Sequence, residues 1–90
     1  MMARSIQFSR PSWHHYHAWR VSDANIFEKV TVLINECCRS PFAGQGKPEP
    51  LRCRKAWSRR IDGKHRFVYH VTDLQLLIYS CRGRCEDEDS

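Results

Sequence analysis

The feature that most constrains this chain is a run of turn formers at its centre. Ser40-Pro41-Phe42-Ala43-Gly44-Gln45-Gly46-Lys47-Pro48-Glu49-Pro50 holds three of the four prolines and two of the four glycines. Helix interiors and central strands both reject that density of missing N–H donors and unrestrained backbone. The run therefore divides the 90 residues into two parts, each with its own periodicity. Ahead of it the apolar period is helical. Ile26, Phe27, Val30, Leu33, Ile34 and Cys37 recur at i, i+3, i+4 and i+7, a core-facing stripe. Ser22 or Asp23 caps that helix, and Pro41 forces it to end. A shorter helix starts at Pro11-Ser12 and runs to about Arg20, with Trp13, Tyr16 and Trp19 on one side. His14, His15 and His17 fall mostly off that side and are expected to face solvent. A first strand, Arg4 to Ser9, alternates around Ile6 and Phe8.

Behind the run the period falls to two. Leu51–Lys55 and Trp57–Ile61 read as strands, the second closed by the hairpin dipeptide Asp62-Gly63. His65–Val71 alternates Phe67, Tyr69 and Val71 against Arg66, Val68 and His70, and Gln75–Arg82 forms an apolar last strand. The order is β-α-α-β-β-β. It predicts a two-layer α+β domain, a helical hairpin on one face of a mainly antiparallel sheet, with the basic residues on the other face. Residues 1–85 make one domain, and the acidic tail at 86–90 is expected to be disordered.

Charge narrows the function. The formal net charge is +5, but four of the ten acids lie in Glu86-Asp87-Glu88-Asp89, so residues 1–85 carry all 15 Lys and Arg against six acids, a formal +9. Between Lys47 and Arg66 there are eight basic residues and two acids, Glu49 and Asp62. Such a field suits a polyanion, usually nucleic acid. No apolar run approaches the ~18 residues of a membrane span, and the first residues show no secretory apolar region, so a cytoplasmic location is expected. The five cysteines are odd in number and form neither a C-x2-C pair nor a disulfide framework. Reduced thiols, no metal and no cofactor are expected.

Cleaving RNA beside a basic sheet needs a base for the 2′-hydroxyl, a cation for the phosphorane-like charge and an acid for the departing 5′-oxygen. Glu49 is the one carboxylate of the basic stretch outside the turn. Pro48 and Pro50 stiffen its backbone, and surrounding cations favour its ionised form. Arg66 lies mid-strand. The tandem Arg59-Arg60 points to opposite faces, so one of the two must share the active surface. Phe42 and Trp57 are aromatics able to stack on bases, or to anchor loop and core.

The Gly44-to-Leu51 run, then Trp57-Ser58-Arg59-Arg60-Ile61, then His65-Arg66-Phe67-Val68-Tyr69 together resemble the YoeB/Txe toxins of the RelE/ParE superfamily of bacterial type II toxin–antitoxin systems. The likeness runs from Ile6 to Arg84 and includes Trp13, Tyr16, Trp19, Asp23 and Ser80-Cys81-Arg82. It implies a small microbial-RNase-like (RelE-type) fold and a ribosome-dependent mRNA endoribonuclease. Such an enzyme cuts in the ribosomal A site without a metal, leaving a 2′,3′-cyclic phosphate and a 5′-hydroxyl. The implied partners are a YefM/Phd-type antitoxin, the ribosome and mRNA, with a homodimer as a further assembly. By motif position Glu49 is the general base and Arg66 the transition-state cation, while Lys47, Arg59, Arg60 and His65 touch RNA or shape the site, and Arg82 contacts RNA.

Two departures bear on activity. Arg84-Cys85 stands where the family ends in His-Tyr, and that histidine is the general acid. An arginine does not donate a proton at neutral pH, although it can stabilise the leaving oxyanion. The alternative is a weakened member that binds antitoxin or ribosome without efficient cleavage. His70, on the strand face of Arg66, is a candidate substitute acid. The stretch Arg52-Cys53-Arg54-Lys55-Ala56 is also shorter than usual and should alter the second strand or its turn. Retention of Glu49, Arg66 and the Arg59-Arg60 pair disfavours a ParE-like gyrase inhibitor on the same fold.

Overall fold

The computed structural model describes residues 4–52 and 55–83. Strand β1 (Ser5–Phe8) leads into helices α1 (Arg10–Ser22) and α2 (Ala24–Arg39), followed by β2 (Glu49–Pro50), β3 (Trp57–Arg60), β4 (Arg66–Val71) and β5 (Gln75–Ser80). α1 begins earlier than the Pro11-Ser12 signal suggested, because Ser9 is the cap: its hydroxyl accepts the Ser12 N–H at 3.2 Å. Ser12 is instead buried, its Oγ 2.7 Å from the Ile78 carbonyl, and so ties the helix to the sheet. His15 is half-buried rather than fully solvated, its Nδ1 accepting the Cys81 N–H at 3.3 Å. Asp23 serves both helices. Its N–H donates to the Trp19 carbonyl at 2.9 Å, and its carboxylate accepts the Asn25 and Ile26 N–H groups at 3.1 and 3.2 Å.

The sheet has five strands in the order β1-β5-β4-β3-β2; β1 runs parallel to β5 and every other pair is antiparallel. The strand expected at Leu51–Lys55 lies earlier. Glu49 and Pro50 make the pairing, opposite Ser58 and Trp57, and the Leu51 N–H then closes a turn onto the Ala56 carbonyl at 2.9 Å. Pro50 is already extended, and on an edge strand its missing N–H costs no ladder bond. Cys53 and Arg54, part of that expected strand, lie outside the described residues. So do Arg84, Cys85 and the tail at 86–90. The last strand stops at Ser80 rather than Arg82.

Trp19, Leu33, Ile34 and Cys37 from the helices meet Phe67, Tyr69, Leu76 and Ile78 from the sheet in the main core. A second, smaller cluster lies on the opposite sheet face, where Ala56 and Val68 pack with Leu51 and Tyr79. No helix among the described residues is long and apolar enough to cross a membrane.

Candidate functional site

The loop carrying Glu49 is held from beneath. Arg59 on β3 is fully buried on the helix side of the sheet. Its Nε donates to the Tyr69 hydroxyl at 3.2 Å, Nη1 to Glu36 Oε1 at 2.5 Å and the Gln45 carbonyl at 3.1 Å, and Nη2 to the carbonyls of Ser40 and Ala43 at 2.6 and 2.9 Å. That engages all five N–H groups of a guanidinium. Tyr69 in turn donates to the Pro41 carbonyl at 2.5 Å, and Glu36 accepts the Gln45 N–H at 2.7 Å. Burial pushes the Glu36 carboxyl up, but the Gln45 amide and the Arg59 guanidinium outweigh it and hold the group below its ordinary value. Burial also raises the Tyr69 phenol, to about 12, so it stays protonated as a donor.

Two glycines let the loop approach this node. Gly44 has φ +117°, and a Cβ there would overlap the Glu36 carboxylate. At Gly46 φ is +80°, the carbonyl accepts the Arg60 N–H at 2.7 Å, and a Cβ would come within 2.7 Å of the Arg60 carbonyl. Lys47 follows in the left-handed region with φ 51° and is exposed. The chain then enters β2 with Glu49 exposed on the edge.

The register sets the faces. Glu49 stands opposite Ser58, and Ser58 opposite Val68; two residues along, Arg60 stands opposite Arg66. Directly paired residues share a sheet face. Val68 belongs to the cluster away from the helices, so Glu49, Arg60 and Arg66 all lie on that side. Strand spacing and rise place the Cα atoms of Glu49 and Arg66 about 12 Å apart, within reach of a long side chain from each. Arg59, grouped with the RNA-contacting residues on sequence, is therefore on the other side, and it organises the loop.

Of the remaining candidates, His65 and Arg82 lie against Trp19 on the helix side, and His70 lies further along β4. His65 precedes β4, and its Nδ1 accepts the Gly83 N–H at 2.8 Å while its ring lies edge-on to Trp19. The Arg66 N–H donates to the Gly83 carbonyl at 3.0 Å, so the chain leaving β5 is pinned beside Arg66. Arg82 is exposed, its guanidinium 5.5 Å over the Trp19 ring. His70 lies four residues from Arg66, about 13 Å along the strand. Its Nδ1 is 2.8 Å from the Lys55 carbonyl, which only accepts, so Nδ1 carries the proton. His70 belongs to a groove of about 490 Å³ shared with Phe42, Pro50, Lys55 and Trp57. Arg84 has no described position.

Residues 8–84 match the family model of the YoeB-like toxin of bacterial type II toxin–antitoxin systems. The chain belongs to that family. It is 48% identical over 77 residues to the toxin YoeB of Escherichia coli (strain K12), covering 83% of this chain and 92% of that one. Among solved structures, the YoeB/ParE toxin from Agrobacterium tumefaciens superposes with a TM-score of 0.86 at 41% identity, covering 90% of this chain and 99% of that one. YoeB from Staphylococcus aureus has been solved as a dimer, with TM-score 0.87, 31% identity and coverage of 93% and 100%. It has also been solved in complex with YefM, with TM-score 0.83, 30% identity and the same coverage.

In this YoeB-family chain, Glu36 and Tyr69 support the loop, and neither stood out in sequence. A signal for Glu36 existed. One arginine of a tandem on a strand must turn inward, and a buried guanidinium needs a carboxylate. Glu36 is the one acid in the last turns of α2.

Proposed function

We propose that this toxin is a ribosome-dependent mRNA endoribonuclease that enters the A site and inhibits translation by metal-independent cleavage. Glu49 takes the proton from the 2′-hydroxyl, which attacks the adjacent phosphorus. Arg66, with Arg60 opposite, stabilises the charge gathering on the phosphoryl oxygens. The bond from phosphorus to the 5′-oxygen breaks, leaving a 2′,3′-cyclic phosphate; Arg84, at the motif position of the family's acid, supplies charge to the departing 5′-oxygen, and water gives it the proton of the 5′-hydroxyl. Lys47 and Arg82 are exposed cations for the RNA backbone. What supports this reading is the strand register that sets one carboxylate and two arginines on the sheet face away from the helices. His70, about 13 Å from Arg66 along the strand, is poorly sited as the substitute acid.

A YefM/Phd-type antitoxin is the proposed protein partner, on the strength of the complex that the Staphylococcus aureus relative forms with YefM. That relative's dimer supports a homodimer as a further assembly. The cytoplasm, where ribosomes and message meet, is the proposed location.

A second reading is a weakened toxin that binds antitoxin or ribosome without efficient cutting; the substitution of Arg84 for the family's acid favours it. Expression in bacteria with primer-extension mapping of mRNA ends separates the two. Cuts that appear with the wild type and vanish with Glu49→Gln support the endoribonuclease. Growth arrest that persists in Glu49→Gln without any mRNA cuts rules it out.

A further inference from the structure

We propose that the groove at the β2 edge of the sheet is a nucleobase subsite, stacking a base of the message on Phe42 and Trp57 next to the nucleotide cut at Glu49. The proposal rests on the endoribonuclease reading above. At about 490 Å³ the groove has room for one nucleoside and is lined by Phe42, Pro50, Arg52, Lys55, Trp57 and His70 among others.

Three observations converge on a base. The first is an aromatic surface left open. Phe42 is 55% exposed although its ring lies 4.7 Å from that of Trp57, inclined at 45°. Its position is fixed in advance, because the carbonyls of Pro41 and Ala43 on either side are held by Tyr69 and Arg59. A preorganised aromatic binds without first losing side-chain freedom. The second is charge. Arg52 and Lys55 are both exposed at the rim, in a chain whose first 85 residues carry a formal +9. An apolar partner would gain nothing from those cations, whereas a stacked base brings its own phosphate to them. The third is position. Pro50 lines the groove, follows Glu49 directly and pairs with Trp57, which alternation turns to the helix side, so the groove meets Glu49 around the outer edge formed by β2. Within it, His70 has Nδ1 committed to the Lys55 carbonyl, which leaves Nε2 to meet a base edge.

The test uses the full chain and programmed bacterial ribosomes carrying a message with 2-aminopurine beside the cut position. A 2′-deoxy sugar at the cut position blocks cleavage. Wild type should quench the probe on binding. Phe42→Ala should weaken binding roughly ten- to a hundredfold and relieve the quench, while Phe42→Trp retains both. An abasic nucleotide at the probe position should cost the wild type a similar factor, and Phe42→Ala should then add no further loss. Phe42 is exposed, so its variants should unfold in urea as the wild type does.

Equal affinity and quench for wild type and Phe42→Ala would overturn the subsite. Losses from Phe42→Ala and from the abasic nucleotide that simply multiply would also overturn it. Phe42→Ala releasing the antitoxin while leaving the message bound would assign the groove to protein docking instead. The two levels separate cleanly. Wild type that cuts message, with Phe42→Ala cutting and binding identically, removes the groove alone. Wild type that neither binds nor cuts removes the endoribonuclease reading and the subsite together.

Discussion

Arg59→Lys should destabilise the fold by about 2–3 kcal/mol, with the charge kept. The guanidinium reaches five acceptors on three segments: Tyr69 on β4, Glu36 on α2, and three carbonyls between Ser40 and Gln45. A lysine ammonium has three donors on one atom and cannot span that set. At least two acceptors lose their partner, each bond worth about 0.5–1.5 kcal/mol and more where a charge is involved. Ser40, Ala43 and Gln45 are exposed residues, so water can replace part of the loss and the lower figures apply to their carbonyls. Arg59→Met should cost more, about 3–5 kcal/mol, because all five acceptors lose their donor, with Glu36, about a quarter exposed, left partly hydrated. A chain of this size has a total stability of roughly 5–13 kcal/mol. Arg59→Lys should therefore remain folded, with Tm lowered by roughly 10–20 °C. Urea denaturation followed by circular dichroism measures the difference directly. A value within about 0.5 kcal/mol of wild type, the range of an ordinary surface change, would refute the role assigned to Arg59 and with it the support beneath Glu49.

Gly44→Ala should destabilise by more than the roughly 1 kcal/mol of a helix glycine, because the added Cβ overlaps Glu36 at a positive φ; thermal melts check this. Ser12→Ala should cost about 0.5–1.5 kcal/mol in urea denaturation, since the Ile78 carbonyl loses the hydroxyl but keeps the Ser9 N–H. The Glu36 carboxyl is held below its ordinary value, so its contribution is complete above the unfolded glutamate pKa of 4.5 and is lost as pH falls through the folded value. Urea midpoints from pH 6 to about pH 3 should accordingly fall more steeply for wild type than for Glu36→Gln. Burial pushes the thiols of Cys37 and Cys81 up to about 11 and about 12, so iodoacetamide at neutral pH should leave both unlabelled until urea unfolds the chain, as read by peptide mass mapping.

The helical hairpin was legible because two local signals agreed on it, the Val30–Leu33–Ile34–Cys37 stripe and the Asp23 cap. Ser9 and Pro11-Ser12 are equally good helix starts in sequence, and the choice of Ser9 follows from the burial of Ser12 against β5. The parallel pairing of β1 with β5 joins residues some 70 positions apart, Ser5 with Gln75, and no local pattern encodes it. The second strand lies at Glu49–Pro50 rather than Leu51–Lys55 because the edge of a sheet accepts a proline within the strand, which alternation alone does not signal. At the site, the alternation rule foresaw that Arg59 and Arg60 would part. It could not say which turns inward, because that choice is made by Glu36, Tyr69 and three loop carbonyls that come together only in the folded chain.

Membership of the YoeB-like toxin family rests on sequence over residues 8–84, and the placement of Glu49, Arg60 and Arg66 on one face rests on the strand register. Whether that face cuts RNA is decided most directly by single-turnover cleavage of a defined message on programmed ribosomes, comparing wild type, Glu49→Gln and Arg66→Ala. The account predicts a 5′-hydroxyl product from wild type and a fall in rate of roughly 10²–10⁴ for Glu49→Gln with its urea midpoint unchanged. A Glu49→Gln variant that cuts at the wild-type rate would contradict it.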